Sequence, residues 1–349
     1  RQDDRVWSKF VAWIFEALIQ AEELGITKLI AKDNLDTTSV FGDQFQNLFR
    51  NAVAANGNFG EIYEKNLEDK IPRGGLNIIN NGSGSLIYSF PFGDIATRGQ
   101  DPIVGGTIQT IQRRGVLNCG IKKLPGFASM DPETGMWKGF EVDMCRGIAA
   151  ALFNGSPNVN FISLTTAERF SALADRNVDI INCATTHTLT REIKEPTTKQ
   201  GFDFTPATFY DGLGFGGRQP YVRCAETFMF STSQDDCMNT RICVSNGTTT
   251  KEALTTRLNI PSKNIVVGTT LEEVYSKYVA DDCNVIAGES LVIMESTVRK
   301  FGLAEDEDYK VGAFKYSKEP LAIVSRSDDA QFSDFLRWIV FGFFYAEEM

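Results

Sequence analysis

Cys183 and His187 stand four residues apart, and a thiol within reach of an imidazole is the usual makings of a nucleophile. Such a pair also needs a third group to orient the imidazole, and none is evident here; neither residue lies in a catalytic motif. The pair therefore reads as a core thiol and a loop histidine. Glu289, directly after the run NVIAG (284–288), is the one candidate acid, but no second positioned carboxylate, metal cluster or phosphate loop accompanies it. Seven cysteines without a CxxC pair, and one histidine, argue against a zinc site. Neither metal nor cofactor is expected. Disulfides are the better use of the cysteines: Cys243 with Cys283, both on predicted strands, Cys119 with Cys145, and Cys224 with Cys237, leaving Cys183 free. Spacing alone leaves the connectivity open.

The elements that must hold these residues follow from size and pattern. A chain of 349 residues exceeds the usual single domain, so two lobes are the default. With 42% hydrophobic and 23% charged residues it is ordinary for a globular protein. Its net charge of −10 leaves no basic face for nucleic acid or an anionic membrane surface. No apolar run reaches the roughly 18 residues of a membrane span; the best, around Phe335 to Ala346, is short and carries Arg337. The first residue is Arg1 with no signal-like segment after it, which suggests a removed leader or a piece of a longer chain. Sequons at Asn81, Asn154 and Asn246 permit glycosylation if the source is eukaryotic, and with the disulfides they favour an extracytoplasmic location, periplasmic or secreted.

Residues 1–24 align on 326–349 without a gap, with ten identities at a constant offset of 325. The matches include Asp3 with Asp328, Asp4 with Asp329, Phe10 with Phe335, Trp13 with Trp338 and AEE at 21–23 with 346–348. Both copies read as one amphipathic helix with an Asp-rich start. The period is far too long for a solenoid and suggests tandem copies of a whole module, with duplication of one helix as the plainer alternative.

Residues 43–66 read as a helix, a Gly-containing break and a second helical turn; 73–105, rich in Gly, Asn, Ser and Pro, read as a tail and a linker. From Thr107 onward strands and helices alternate. VLNCGI (116–121), VNFISL (159–164) and VDIINC (178–183) are predicted strands of one α/β lobe; RICVSN (241–246), NIVVG (264–268) and NVIAG (284–288) repeat the grammar in a second. Capping boxes Thr165 to Glu168, Thr249 to Glu252 and Thr270 to Glu273 open three of the helices. FYDGLGFGG (209–217) and VGAFKYSKEPLAIV (311–324) read as strands crossing from lobe to lobe, and two crossings make a hinge. The division expected is 1–92 helical extension and tail completing the first lobe, 93–106 linker, 107–212 first lobe, 213–314 second lobe, and 315–349 return to the first lobe.

GFEVDMCRGIAAALF, LTTAERFSALADRNVDII, TTHTLTRE, CVSNGTTTKEAL and KEPLAIV, in this order and spacing, resemble the family 3 solute-binding proteins of bacterial ABC importers, nearest to the general L-amino-acid-binding branch. AEELGIT, GNFGEIYEKN and LNIINNGSGSLIYSF are similar to that branch's C-terminal extension, placed here at the N-terminus. The resemblance implies a two-lobed venus-flytrap fold, α/β, of the type II periplasmic binding proteins, closing on a free L-amino acid, with an ABC permease or neighbouring copies of the module as protein partners. It puts Arg191 on the carboxylate-binding arginine, whose planar fork grips a carboxylate as lysine cannot. Thr186 falls where the family offers a backbone N–H and hydroxyl, and Ala184 where a carbonyl faces the ammonium. Thr248 and Thr249 lie between a strand and a helix, so free N–H groups and the positive end of a helix dipole are at hand; Thr249 also reads simply as the helix cap.

Glu289 stands where the family has the Asp that receives the ligand ammonium. Its extra methylene carries the carboxylate roughly an ångström further into the cleft. Phe127 is a candidate wall for the ligand side chain, with ordinary core as its other reading, and Phe140 a second. His187 replaces a customary Trp and Cys183 a customary Arg. The function expected is ligand binding without catalysis; a scaffold repeat that keeps the fold, in a head-to-tail polymer with weak or no binding, is the alternative.

Overall fold

A computed structural model of the protein describes residues 5–35, 37–69, 73, 106–231, 234–304 and 308–349. The chain divides into two compact units, one of Arg98–His187 with Asp203–Val340, the other of Arg1–Thr97 with Thr188–Phe202 and Phe341–Met349.

The first unit contains two five-stranded sheets of one design. In the first, strand Leu117–Ile121 lies parallel between Val159–Ser163 and Ile180–Asn182, and Val324–Arg326 then pairs antiparallel with Ile180–Asn182, with Phe202–Phe204 at the edge. In the second, Ile242–Ser245 lies parallel between Ile265–Gly268 and Val285–Gly288, followed by antiparallel Gly214–Arg218 and Tyr309–Val311. The central strands are covered on both faces, which is why they read as apolar runs. Ile242 and Val244 pack one way with Phe215, Leu254 and Ala287, while Cys243 packs the other way with Tyr275, Tyr278 and Ile286: the period of two that a pleated strand imposes. Between the sheets, Phe209–Asp211 pairs antiparallel with Glu319–Leu321. These are the two crossing strands expected from the sequence, and the α/β two-lobed architecture with two hinge strands is as expected.

All three disulfides form, with Cα–Cα distances of 6.5 Å for Cys119–Cys145, 5.3 Å for Cys224–Cys237 and 5.7 Å for Cys243–Cys283, and Cys183 is a buried free thiol. Cys283 sits just before strand Val285–Gly288 rather than on it. The capping box Thr165 to Glu168 is made from both sides, at 3.3 and 3.0 Å. The helix Thr249–Thr256 is capped by Thr248, whose hydroxyl accepts from Lys251 N–H at 3.0 Å, so the cap falls one residue earlier than the sequence motif places it. This leaves Thr249 in the first turn with its hydroxyl available for other partners.

The second unit is helical. Arg5–Glu23, Leu48–Asn56 and Phe59–Asn66 enclose a small core of Ala21, Ile26, Ala31, Leu35 and Val53. The predicted break falls at Gly57, whose φ of 96° favours glycine. Asn58 and Glu61 then form a reciprocal capping box, and the same Glu61 carboxylate accepts from Lys28 N–H at 2.9 Å. Lys9 donates to the Glu192 and Phe202 carbonyls at 3.1 and 3.0 Å, and Trp13 Nε1 to the Glu192 carboxylate at 2.6 Å. Segment 188–202 is thus tied to the first helix of this unit.

Helices Arg5–Glu23 and Ala330–Glu348 are each 19 residues long and occupy matching positions of the sequence repeat. Asp329 caps the second, accepting from Phe332 N–H at 3.1 Å and from Thr107 N–H at 2.7 Å. Asp3, Asp4, the tail and linker of 74–105 and the sequon at Asn81 lie outside the described residues.

Candidate functional site

Four parallel strands of the first unit release their chain ends toward one place. Lys122 follows Leu117–Ile121, residues 183–186 follow Ile180–Asn182, Asn246–Thr250 follow Ile242–Ser245, and Glu289 follows Val285–Gly288. The carboxyl ends of parallel strands are where open α/β sheets bind ligands, because the loops there are free of sheet hydrogen bonding. A cavity of about 10 Å³ lies there, lined by Lys122, Ser245, Thr248, Thr250, Glu289 and apolar neighbours including Leu271 and Val292. The hydroxyls of Ser245 and Thr250 are buried and have no hydrogen-bond partner among the described residues. Buried polar groups without partners are costly, so a cluster of them on one wall marks a place built to receive something polar.

Glu289 is 8% exposed and makes no side-chain capping bond at the start of the short helix it precedes. Thr186 and Thr249 meet, hydroxyl to hydroxyl, at 3.3 Å, and the Thr249 hydroxyl donates to Glu319 Oε2 at 2.8 Å. Glu319 in turn accepts from the Ser317 hydroxyl at 2.7 Å. Thr186 is also bridged to Leu321 of the hinge strand. This chain joins the loop after Ile180–Asn182, the start of helix Thr249–Thr256 and hinge strand Glu319–Leu321, so both lobes are latched across the cleft. Across the same hinge, Asp211 accepts from the backbone N–H and hydroxyl of Ser290 at 2.9 and 2.6 Å.

Ala184 has a φ of 46°, a left-handed conformation that costs a non-glycine residue energy and has to be held by its surroundings. Its N–H donates to Glu141 Oε1, and its carbonyl accepts from Arg169 at 3.4 Å. The carbonyl expected to face an ammonium therefore already has a guanidinium on one lone pair. Arg169 also donates to the Cys183 carbonyl at 3.1 Å. The Cys183 thiol donates to the Gly120 carbonyl at 3.2 Å, and burial, followed by the Glu141 charge, pushes it up to about 12. His187 stacks on Phe204 at 4.4 Å. A nucleophilic Cys–His pair is not what this geometry serves.

Phe127 is 5% exposed and meets Phe140 and Phe209 edge-on at 5.8 and 5.2 Å. It belongs to the apolar core that also holds Leu124 and Leu321, and it does not line the cavity. Arg191 lies in the helical unit, on the short helix Leu189–Lys194, where it is buried and where Thr188 caps the helix by accepting from its N–H at 3.3 Å.

Sequence reasoning passed over Lys122, Glu141, Arg169 and Glu319. Glu319 sits in KEPLAIV and Glu141 in GFEVD, and a charge inside an apolar run was the available signal. Burial pushes the Glu141 carboxyl up to about 8, against the opposing pull of its bond from Ala184 N–H and of Lys122 and Arg169. A folded-state value above the ordinary 4.5 means that the folded protein holds a proton the unfolded chain releases, so stability falls as pH rises from about 4.5 to about 8. Between pH 5 and 8 this amounts to about 3 kcal/mol. The Glu141→Gln variant, which keeps the acceptor for Ala184, should lose this slope, and urea melts of both proteins at pH 5, 6.5 and 8 will show it. Parallel pH dependence in the two would exclude Glu141 as the source.

Residues 117–281 match the bacterial extracellular solute-binding proteins, family 3. The general L-amino acid-binding periplasmic protein AapJ of Rhizobium johnstonii is 31% identical over 245 residues, 69% of this chain and 67% of its own. The putative amino-acid ABC transporter-binding protein YhdW of Escherichia coli K12 is 30% identical over 248 residues, 70% of this chain and 68% of its own. Among solved structures, an ABC transporter periplasmic binding protein from Brucella ovis with glutathione bound superposes with a TM-score of 0.55 at 30% identity, covering 70% of this chain and 72% of that one. With this likeness of sequence over most of the chain, and with two sheets of matching design around a polar cleft, the chain belongs to the family 3 extracellular solute-binding proteins.

Proposed function

We propose that the protein binds a free L-amino acid in the cleft of its two-lobed unit and releases it unchanged, as the receptor of an ABC importer or as a sensor, outside the cytoplasm. The observation that carries the reading is the cavity at the strand ends, where Glu289 and the partnerless hydroxyls of Ser245 and Thr250 are buried together. A free amino acid brings a carboxylate and an ammonium, and a closing cleft must pair both or leave them buried at a cost of several kcal/mol. Glu289, with the Ala184 carbonyl, takes the ammonium. Thr186, Thr249 and the helix start capped by Thr248 offer N–H and hydroxyl donors to the carboxylate, and the sequence resemblance assigns Arg191 to the same carboxylate. Phe127 acts from behind, as packing that holds the first lobe's loop.

Closure draws its free energy from the differential affinity of the ligand for the closed form, and the latch Thr186–Thr249–Glu319 is the kind of contact that closing makes. A permease reads the resulting shape. The relatives' names, amino-acid-binding proteins of ABC transport, support the same reading. Titration calorimetry of the full chain, refolded free of ligand, against the twenty L-amino acids tests it. Binding at micromolar concentration or below is the expected result; a folded protein that gives no heat with any of them would rule it out.

One observation favours a second reading, a scaffold repeat: the helix Arg5–Glu23 and its counterpart Ala330–Glu348 are duplicated in full. In a polymer of such modules one copy of the helix would serve the neighbouring module. Protein that neither binds amino acids nor sediments as a single species would favour it.

A further inference from the structure

Lys122 is 7% exposed, and the residues lining the cavity with it include Glu289, Ser245 and Thr250. Among the described residues it has no hydrogen bond and no ion pair within 4.0 Å. A lysine stem ordinarily snorkels its ammonium to water; here the charge is spent inside the cleft. Burial pulls its pKa down, and the Glu289 charge is the largest influence holding it up.

The charges around the cleft floor do not balance. Lys122 and Arg169 are cations. Of the two carboxyls beside them, Glu289 is the one available as an anion, since Glu141 holds its proton up to about pH 8. Arg169 spends its donors on the Cys183 and Ala184 carbonyls, which supply no charge. A neutral zwitterion leaves that surplus as it was, because its ammonium and carboxylate cancel. A ligand bearing one more carboxylate removes it, and Lys122 with the Ser245 and Thr250 hydroxyls supplies three donors with no protein acceptor to satisfy them.

We propose that Lys122, Ser245 and Thr250 form the seat of a second, side-chain carboxylate, and that the ligand class of this protein is the acidic L-amino acids. The proposal rests on the amino-acid-binding reading above and adds the ligand's charge and the residue that selects it. A site built around a charged donor discriminates strongly, since an amide in place of the carboxylate would leave the ammonium buried against a neutral dipole.

The test is calorimetry of the full chain with L-glutamate, L-aspartate, L-glutamine, L-asparagine and L-lysine, repeated with Lys122→Met and Lys122→Arg. The acids should bind at least 100-fold more tightly than their amides. Lys122→Met should cut that ratio at least tenfold, and Lys122→Arg should restore most of it. Equal weakening of acid and amide in Lys122→Met would overturn the proposal, because Lys122 would then serve the α-carboxylate or the fold. Tight binding of a neutral or basic amino acid by the natural protein in preference to the acids would overturn it while leaving the amino-acid reading intact. Absence of binding to all five and to the remaining amino acids would overturn both. Where Lys122→Met does not fold, the acid-to-amide ratio of the natural protein and its fall in Ser245→Ala with Thr250→Val decide the matter.

Discussion

Alanine at Arg191 is expected to lower amino-acid affinity about a thousandfold, as removal of one partner from a buried, hydrogen-bonded charge pair does. Planarity is the reason for so large an effect. A guanidinium meets both oxygens of a carboxylate at once, and no other donor around the cleft can replace two parallel charge-assisted bonds. Arg191→Lys should therefore recover only a small part of the loss. Glu289→Gln should weaken binding as well, by removing the charge opposite the ligand ammonium while keeping the side-chain length. Calorimetry measures all three, with melting curves to establish that each variant is folded. The burial of Arg191 and the cap that Thr188 places on its helix make that control necessary. Retention of affinity in a folded Arg191→Ala protein would remove the residue from the site.

A second large effect is expected from the Cys243–Cys283 disulfide. It closes a loop of 40 residues and ties strand Ile242–Ser245 to the approach of strand Val285–Gly288, with both cysteines fully buried in the core of the second lobe. Removing the crosslink enlarges the unfolded ensemble, and by the loop-entropy relation this costs about 4 kcal/mol. The Cys224–Cys237 crosslink, separated by 13 residues, should cost about 3 kcal/mol by the same relation. Denaturant melts of Cys243→Ala with Cys283→Ala, set against Cys224→Ala with Cys237→Ala, should rank the two pairs in that order. A reversed ranking would mean that packing around the sulfurs outweighs loop length. The isolated Cys183 thiol, held as a thiol by burial, should stay unmodified by alkylating reagents in the folded protein.

Local features were legible where their cause is local. The six strands of the two parallel cores, the capping box Thr165 to Glu168, the glycine break at Gly57 and the two crossing strands of the hinge all follow from apolar runs, hydroxyl-to-carboxyl spacing and positive φ, which a few neighbouring residues decide. The cap of helix Thr249–Thr256 was misplaced by one residue because a run of three threonines offers three candidate caps. The hydroxyl of Thr248 takes Lys251 N–H, and Thr249 turns to Glu319, seventy residues away along the chain. Phe127 reads equally as wall or core from sequence; its edge-on contacts with Phe140 and Phe209, together with its distance from the cavity lining, put it in the core.

By itself the sequence determined the alternation of strand and helix, the cysteine partners that adjacent strands and helices bring into reach, the repeat at an offset of 325 and the family motifs. Only the tertiary structure decided which charges share a cavity. Lys122, Glu141, Arg169 and Glu289 come from four separate segments, and what makes them a site is that four parallel strands end on one side of their sheets. In a linear reading each is one more charged residue on a loop or helix. Their removal from water turns ordinary charges into an unbalanced cluster, and desolvation is a property of the packed chain that no short stretch of sequence carries.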